Sequence, residues 1–276
     1  MASVLLGGIV LAAVAPVGAA APVQVRPGAA RAVASDSPFP SSFPGLLDDS
    51  SVPSFPSGVP ASVVARWDAA ALSARADRIS QLATQVSGAG NLSVPAQTTL
   101  QDLLAADAAG VATLEAEASA SGDLGTLEAV ASSMVLSYRV VSVVSPLVAD
   151  SIDASNQLAR ATSIQSGEAA LEAAITTGLG SGGAVGAAQS AYRDLVSQIG
   201  PVAGNDGTQL TALLAIKPAS YQQSVSTIGD AETALADGWS RVHAAVADER
   251  KIIRLLAAPG ITSNHRILRL LRGLLS

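Results

Sequence analysis

The sequence predicts an all-α fold: an elongated antiparallel helical bundle with coiled-coil-like seams, preceded by a disordered Pro-rich linker. Three observations carry that prediction. Of 276 residues 55 are Ala and only eight are Phe, Trp or Tyr, a balance that favours helix and deprives sheets of the residues they prefer. From residue 59 onward, apolar residues return at alternating steps of four and three rather than at every second position, the periodicity of a helix face. Nine of the 14 prolines fall between Pro16 and Pro60, where each fixes φ and removes a backbone donor. The length suffices for one large domain or two small ones with a core that needs no staple.

The N-terminus reads as an export signal. Residues 2–25 carry no charged side chain and Val4–Val14 is an apolar run of signal-peptide length. Ala19-Ala20-Ala21 and Ala32-Val33-Ala34 are candidate cleavage sites. The positively charged n-region is missing, and an uncleaved anchor over residues 1–21 is the alternative. Residues 22–57 form the expected extended linker. Within it the repeated Phe-Pro pairs (Phe39-Pro40, Phe43-Pro44, Phe55-Pro56) are candidate docking residues, either for a partner or for the bundle itself.

The helical domain is expected over 58–258. Ser57-Gly58-Val59-Pro60 supplies a helix start, and helix one, about 59–87, presents Val64, Trp67, Ala71 or Leu72, Ile79, Leu82 and Val86 on one stripe. Ser93-Val94-Pro95 opens helix two, with a seam of Leu100, Leu104, Asp107, Val111, Leu114 and Ala118 in coiled-coil spacing. The third segment, from Leu127 to about 177, is the most apolar and reads as central. Pro146 predicts a kink near Val143–Pro146, and Ser166-Gly167 a further interruption. Gly178–Gly183 reads as a turn. The next helix starts at Val185 and is expected to break at Gly200-Pro201 and at Gly204-Asn205-Asp206-Gly207. The last, after Lys217-Pro218, offers the longest seam: Tyr221, Val225, Ile228, Glu232, Leu235, Trp239, Val242, Val246, Glu249, Ile253 and Leu256. Sustained 3.5-residue spacing predicts near-parallel helix packing.

The segment Tyr138-Arg139-Val140 through Pro146-Leu147-Val148, after the Ser121–Leu127 turn and before the Ala-rich helix to Arg160, resembles a group of secreted α-helical envelope proteins of high-GC Gram-positive bacteria. The resemblance covers about residues 75–255. Val141 and Ser145 stand where that group's pattern has an aromatic and a Leu. What the resemblance implies is an exported helical bundle; it carries over no active site.

Composition excludes much chemistry. With no Cys and only His243 and His265, thiolate metal sites, cysteine nucleophiles and most histidine chemistry are removed. Gly178-x-Gly180-x-x-Gly183 has dinucleotide-fingerprint spacing, but it follows a helix rather than a strand and reads as a turn. His243, one position beyond the seam, reads as a boundary histidine. Glu232 and Glu249 are costly to bury alone and are expected to flank the core or pair with Arg139, Arg160 or Arg193. Trp67, Trp239, Tyr138, Tyr192 and Tyr221 read as core. No cofactor, metal or catalytic residue is expected.

Charge is uneven: residues 250–276 hold six basic and no acidic side chains, whereas residues 32–249 carry a net −14. Nucleic acid is therefore not an expected partner. Residues 259–276 form a basic amphipathic helix, with Ile267, Leu270, Leu271 and Leu274 on one side and Arg266, Arg269 and Arg272 on the other. This helix is a candidate membrane or partner contact; packing on the bundle is the alternative. The functional expectation is a non-enzymatic structural or interaction module, secreted or anchored in the bacterial cell envelope. Its partner would be an envelope or extracellular protein, a wall polymer or a membrane surface. A membrane-active protein, a carrier of an apolar ligand and a homo-oligomer stay open.

Overall fold

A computed structural model describes residues 39, 42–178 and 183–256; the expected leader, residues 179–182 of the expected Gly178–Gly183 turn and the expected basic C-terminal helix lie outside them. Among the described residues every regular element is helical: α1 (Ala61–Gly88), α2 (Val94–Ala120), α3 (Leu124–Ser133), α4 (Ser145–Gly178), α5 (Gly183–Leu214) and α6 (Tyr221–Leu256). Two π-helical turns, Met134–Tyr138 and Val140–Val144, stand between α3 and α4.

The helix starts follow local chemistry. Ser93 Oγ accepts the Ala96 N–H and Asp123 Oδ2 accepts that of Thr126, each satisfying a donor that a helix N-terminus leaves free. On α1 the buried stripe contains Val64, Trp67, Ala71, Leu72, Ile79, Leu82 and Val86, together with Asp68 and Arg75. On α2 it contains Leu100, Leu104, Asp107, Val111, Leu114 and Ala118, together with Ala96.

α1 lies against α2 and α3, whereas α4, α5 and α6 contact one another pairwise. One apolar core gathers around Trp67, Leu72, Leu104, Leu127 and Leu147, and a second around Ile164, Leu171, Leu195, Ile199 and Val242. Between them Leu213, Ile228 and Ala231 close over Val143.

Four sequence expectations are corrected. The first concerns the central segment, whose break is centred on Arg139 (φ 40°), upstream of Val143–Pro146. Because α4 begins at Ser145, Pro146 falls in its first turn, where an N–H would lack a helical partner anyway,. α4 then runs through Ser166-Gly167 without interruption.

The second is α5, which continues through Pro201 and through Gly204-Asn205-Asp206-Gly207. Leu195, Ile199, Val202 and Leu213 are buried along its length. At about 1.5–3 kcal/mol each, they offset about 3 kcal/mol for an interior Pro and about 1 kcal/mol for each Gly.

The third is α6, whose buried positions are Ser224, Ile228, Ala231, Leu235, Gly238, Val242, Ala245, Glu249, Ile252 and Leu256. Every second expected position is displaced by one. Glu232 and Val225 are exposed, and Tyr221 and Trp239 half-buried, while small residues take the interior. At Gly238 a Cβ would stand 2.2 Å from Gln157 Oε1, so the glycine permits the close approach of α6 to α4.

The fourth is the linker. From Ser42 to Val59 the chain carries no helix, yet it lies as a strap on α1 and on the break, with Phe43, Leu46 and Phe55 against the first core. The Phe-Pro residues dock on the bundle itself, one of the two expected alternatives, and Asp49 adds a contact that composition does not forecast.

Candidate functional site

The densest set of unusual features lies where the strap, α1, the break and the start of α6 meet. An aromatic ladder starts the strap: Phe39 to Phe43 (5.8 Å between centroids), Phe43 to Phe55 (5.6 Å) and Phe55 edge-on to Trp67 (5.2 Å). Trp67 Nε1 donates to the Pro44 carbonyl at 3.0 Å, so the indole serves as both apolar wall and donor. The three phenylalanines singled out from sequence therefore lie together on the chain's own α1.

Further along the strap, Arg75 is fully buried. Its Nη1 donates to the Leu46 carbonyl and, at 3.3 Å, to that of Ala71, and its Nη2 lies 3.5 Å from the Asp48 carbonyl. Burial pulls the guanidinium below its ordinary range, and the nearby Asp49 and Asp48 charges oppose that pull.

Asp49, 2 % exposed, points its carboxylate at the break. It accepts the N–H of Val141 at 2.9 Å and that of Ser142 at 3.1 Å. These are donors at a helix N-terminus, so the strap caps the break from a distance. Arg139 answers in the opposite sense. Its Nη1 donates to the Asp49 carbonyl at 3.1 Å, and its guanidinium carbon stands 3.7 Å from the centroid of the Tyr221 ring on α6, a cation–π contact. One residue in left-handed backbone thus ties the strap to α6. A non-glycine there is uncommon, and π turns concentrate at functional positions. On the far side of the break, Arg78 Nε donates to Ser145 Oγ at 3.0 Å, which donates to the Val140 carbonyl at 2.8 Å.

A second set of polar groups is buried in the helix interfaces. Asp68 on α1 and Asp107 on α2 are desolvated without an ion-pair partner, and burial raises each carboxyl to about 7. On α4 and α5, burial raises Asp150 and Asp206 to about 7, assisted by repulsion from Glu232 and Asp153 at Asp150 and from Asp153 at Asp206. Asp153 is also raised by burial, against the Trp239 Nε1 donor 2.9 Å away. Glu249 is buried; desolvation raises it, and the Arg160 and Arg250 charges oppose that. Among the described residues no group of three or more His, Asp or Glu has metal-binding geometry.

His243 is exposed and stacks on Trp239 at 5.8 Å. Tyr138 lies over Gly110, where a Cβ would meet its ring at 2.2–2.3 Å. The candidate C-terminal contact residues Arg266, Arg269, Arg272, Ile267, Leu270, Leu271 and Leu274 lie outside the described residues. Sequence reasoning missed Asp49, Arg75 and the role of Arg139. The available signal was a charged residue on an otherwise apolar stripe, as Arg75 is between Leu72 and Ile79.

No family model matches the chain, and neither a curated protein nor a solved structure matches it.

Proposed function

We propose that the protein is a non-enzymatic, exported module of the bacterial cell envelope, working through contact with an envelope or extracellular protein, a wall polymer or a membrane surface. The observation that carries this reading is where the buried charge goes. Asp49, Arg75 and Arg139 all bind the chain's own backbone, so the most elaborate polar construction in the described residues holds elements together. In this reading the six helices form an elongated antiparallel bundle with coiled-coil-like seams. Contacts that advance in the same direction along α4 and α6, Asp150 near Glu232, Asp153 on Trp239 and Arg160 near Glu249, fit these two as the parallel first and third helices of an up-down-up trio with α5, which touches both, and support it. The uncharged N-terminus acts as leader or anchor, and Pro-rich chain ahead of the strap is the linker.

Cell fractionation with intact mass tests this. Recovery outside the cytoplasm, either with about 21–34 residues removed or at full length in the membrane, is the expected outcome. Recovery of full-length protein in the cytoplasm overturns it.

A second reading, membrane activity, is favoured by one observation: the broken helical segment Leu124–Thr176 is long and apolar enough to cross a bilayer, with a mean hydropathy of 1.4 in its best window and half of that window buried. On this reading the basic C-terminal helix attaches and the Val-rich stretch rearranges. Sedimentation with anionic vesicles separates the two. Binding lost on removing residues 261–276 favours membrane activity, and absence of binding counts against it.

A further inference from the structure

The strap meets the body as a bound peptide meets a receptor. Two buried guanidiniums read its main chain, Arg75 at Leu46 and Arg139 at Asp49. A pair of backbone N–H groups reads its one buried carboxylate, and Trp67 takes both the Phe55 ring and the Pro44 carbonyl. None of these contacts requires the strap and the groove to belong to one chain.

The tether between them is short, Pro56 to Pro60, with a single backbone hydrogen bond from Val59 N to the Pro56 carbonyl (3.3 Å). The strap turns back onto α1 through Gly58, whose φ of 81° is the left-handed conformation and whose absent Cβ would have nothing within 4 Å. A short hinge stiffened by proline on both sides is the setting in which arms exchange between copies.

We propose that the groove formed by α1 and the break at Arg139 is an exchangeable peptide site, and that residues 42–59 of a second copy fill it in trans to give a symmetric strap-swapped pair. A second copy is the occupant that the contacts select. It presents Phe43-Pro44 and the Asp49 carboxylate at the spacing the groove already matches, and the exchange replaces each contact by an identical one. Two mutual exchanges close the pair, so assembly stops at two.

The test uses the full chain in a Trp239→Phe background, so that Trp67 emission reports strap docking while light scattering reports mass. Gly58→Ala strains the turn that directs the strap back in cis and touches nothing else. It is expected to move the monomer–pair balance about tenfold toward the pair. Asp49→Ala disables the strap and leaves the groove intact, and Arg139→Ala does the reverse. Mixing the two is expected to give a pair that neither forms alone. If Arg139→Ala fails to fold by circular dichroism, the Gly58→Ala comparison decides. The proposal is overturned if the parent and Gly58→Ala chains both stay monomeric to millimolar concentration with Trp67 docked, or if pairs form but persist undiminished in Asp49→Ala.

Discussion

Asp49 is the residue on which the junction depends. Its carboxylate is nearly inaccessible and accepts two backbone N–H groups of the break, a charge-assisted arrangement stronger than an ordinary hydrogen bond. Asp49→Ala leaves both donors buried and unmatched, at a cost of about 1–3 kcal/mol, and a guanidinium unfolding midpoint well below that of the parent is the expected reading. Asp49→Asn keeps one accepting oxygen and should fall between the two; equal midpoints for all three would show that the N–H groups find water instead. Sequence gave no warning of this contact. Asp49 and Val141 are 92 positions apart, and an Asp in a Ser- and Pro-rich stretch has the composition of a solvated spacer. The aromatic half of the same site was legible, since three Phe followed by Pro are conspicuous in a chain with so few rings.

At the scale of the elements, legibility followed side-chain size. The large apolar members of the α1 and α2 stripes are Leu, Ile, Val and Trp, and spacing alone identifies them, whereas the buried Asp68, Arg75 and Ala96 beside them escape it. On α6 the interior alternates large residues with Ala231, Gly238 and Ala245, and the regular four-and-three spacing assigned those places to the bulkier neighbours Glu232, Trp239 and Val246. Close helix approach reverses that assignment, because a small residue admits the opposing side chain. Gly238→Ala is therefore expected to cost about 1–3 kcal/mol by driving a Cβ into Gln157, whose Nε2 donates to the Leu235 carbonyl at 3.0 Å. Gln157→Ala in the same chain should recover part of the loss, which thermal denaturation of the single and double variants can measure. α5 supplies the opposite case. Pro201 is exposed in the helix interior and its place is held by packing, so Pro201→Ala restores a helical N–H and should raise stability by about 1–3 kcal/mol. A destabilised Pro201→Ala chain would mean that the proline shapes a bend the packing requires.

Over the whole molecule the buried carboxylates determine how stability responds to pH. Asp68 and Asp107 lie on the buried stripes of α1 and α2, Asp150 and Asp206 on α4 and α5, and burial raises each to about 7 from an unfolded value near 4. Between those limits the folded chain holds protons that the unfolded chain releases, so these groups make stability fall as pH rises from about 4 to 7, the reverse of the usual paired carboxylate. Their surroundings reinforce the sign. Glu232 and Asp153 stand near Asp150, Asp153 stands near Asp206, and no cation offsets the shift at any of the four. Urea midpoints taken at pH 5, 6, 7 and 8 are expected to decrease up to about pH 7 and to level off toward pH 8. Asp68→Asn has a particular place in that series, because both carboxylate oxygens of this fully buried residue lack a hydrogen-bond partner in the structure. The amide removes the cost of ionisation, so the variant should match the parent at pH 5, exceed it by about 1–2 kcal/mol at pH 8, and show a shallower pH slope. A parent profile that is flat or rises over this range would mean that water reaches these carboxylates.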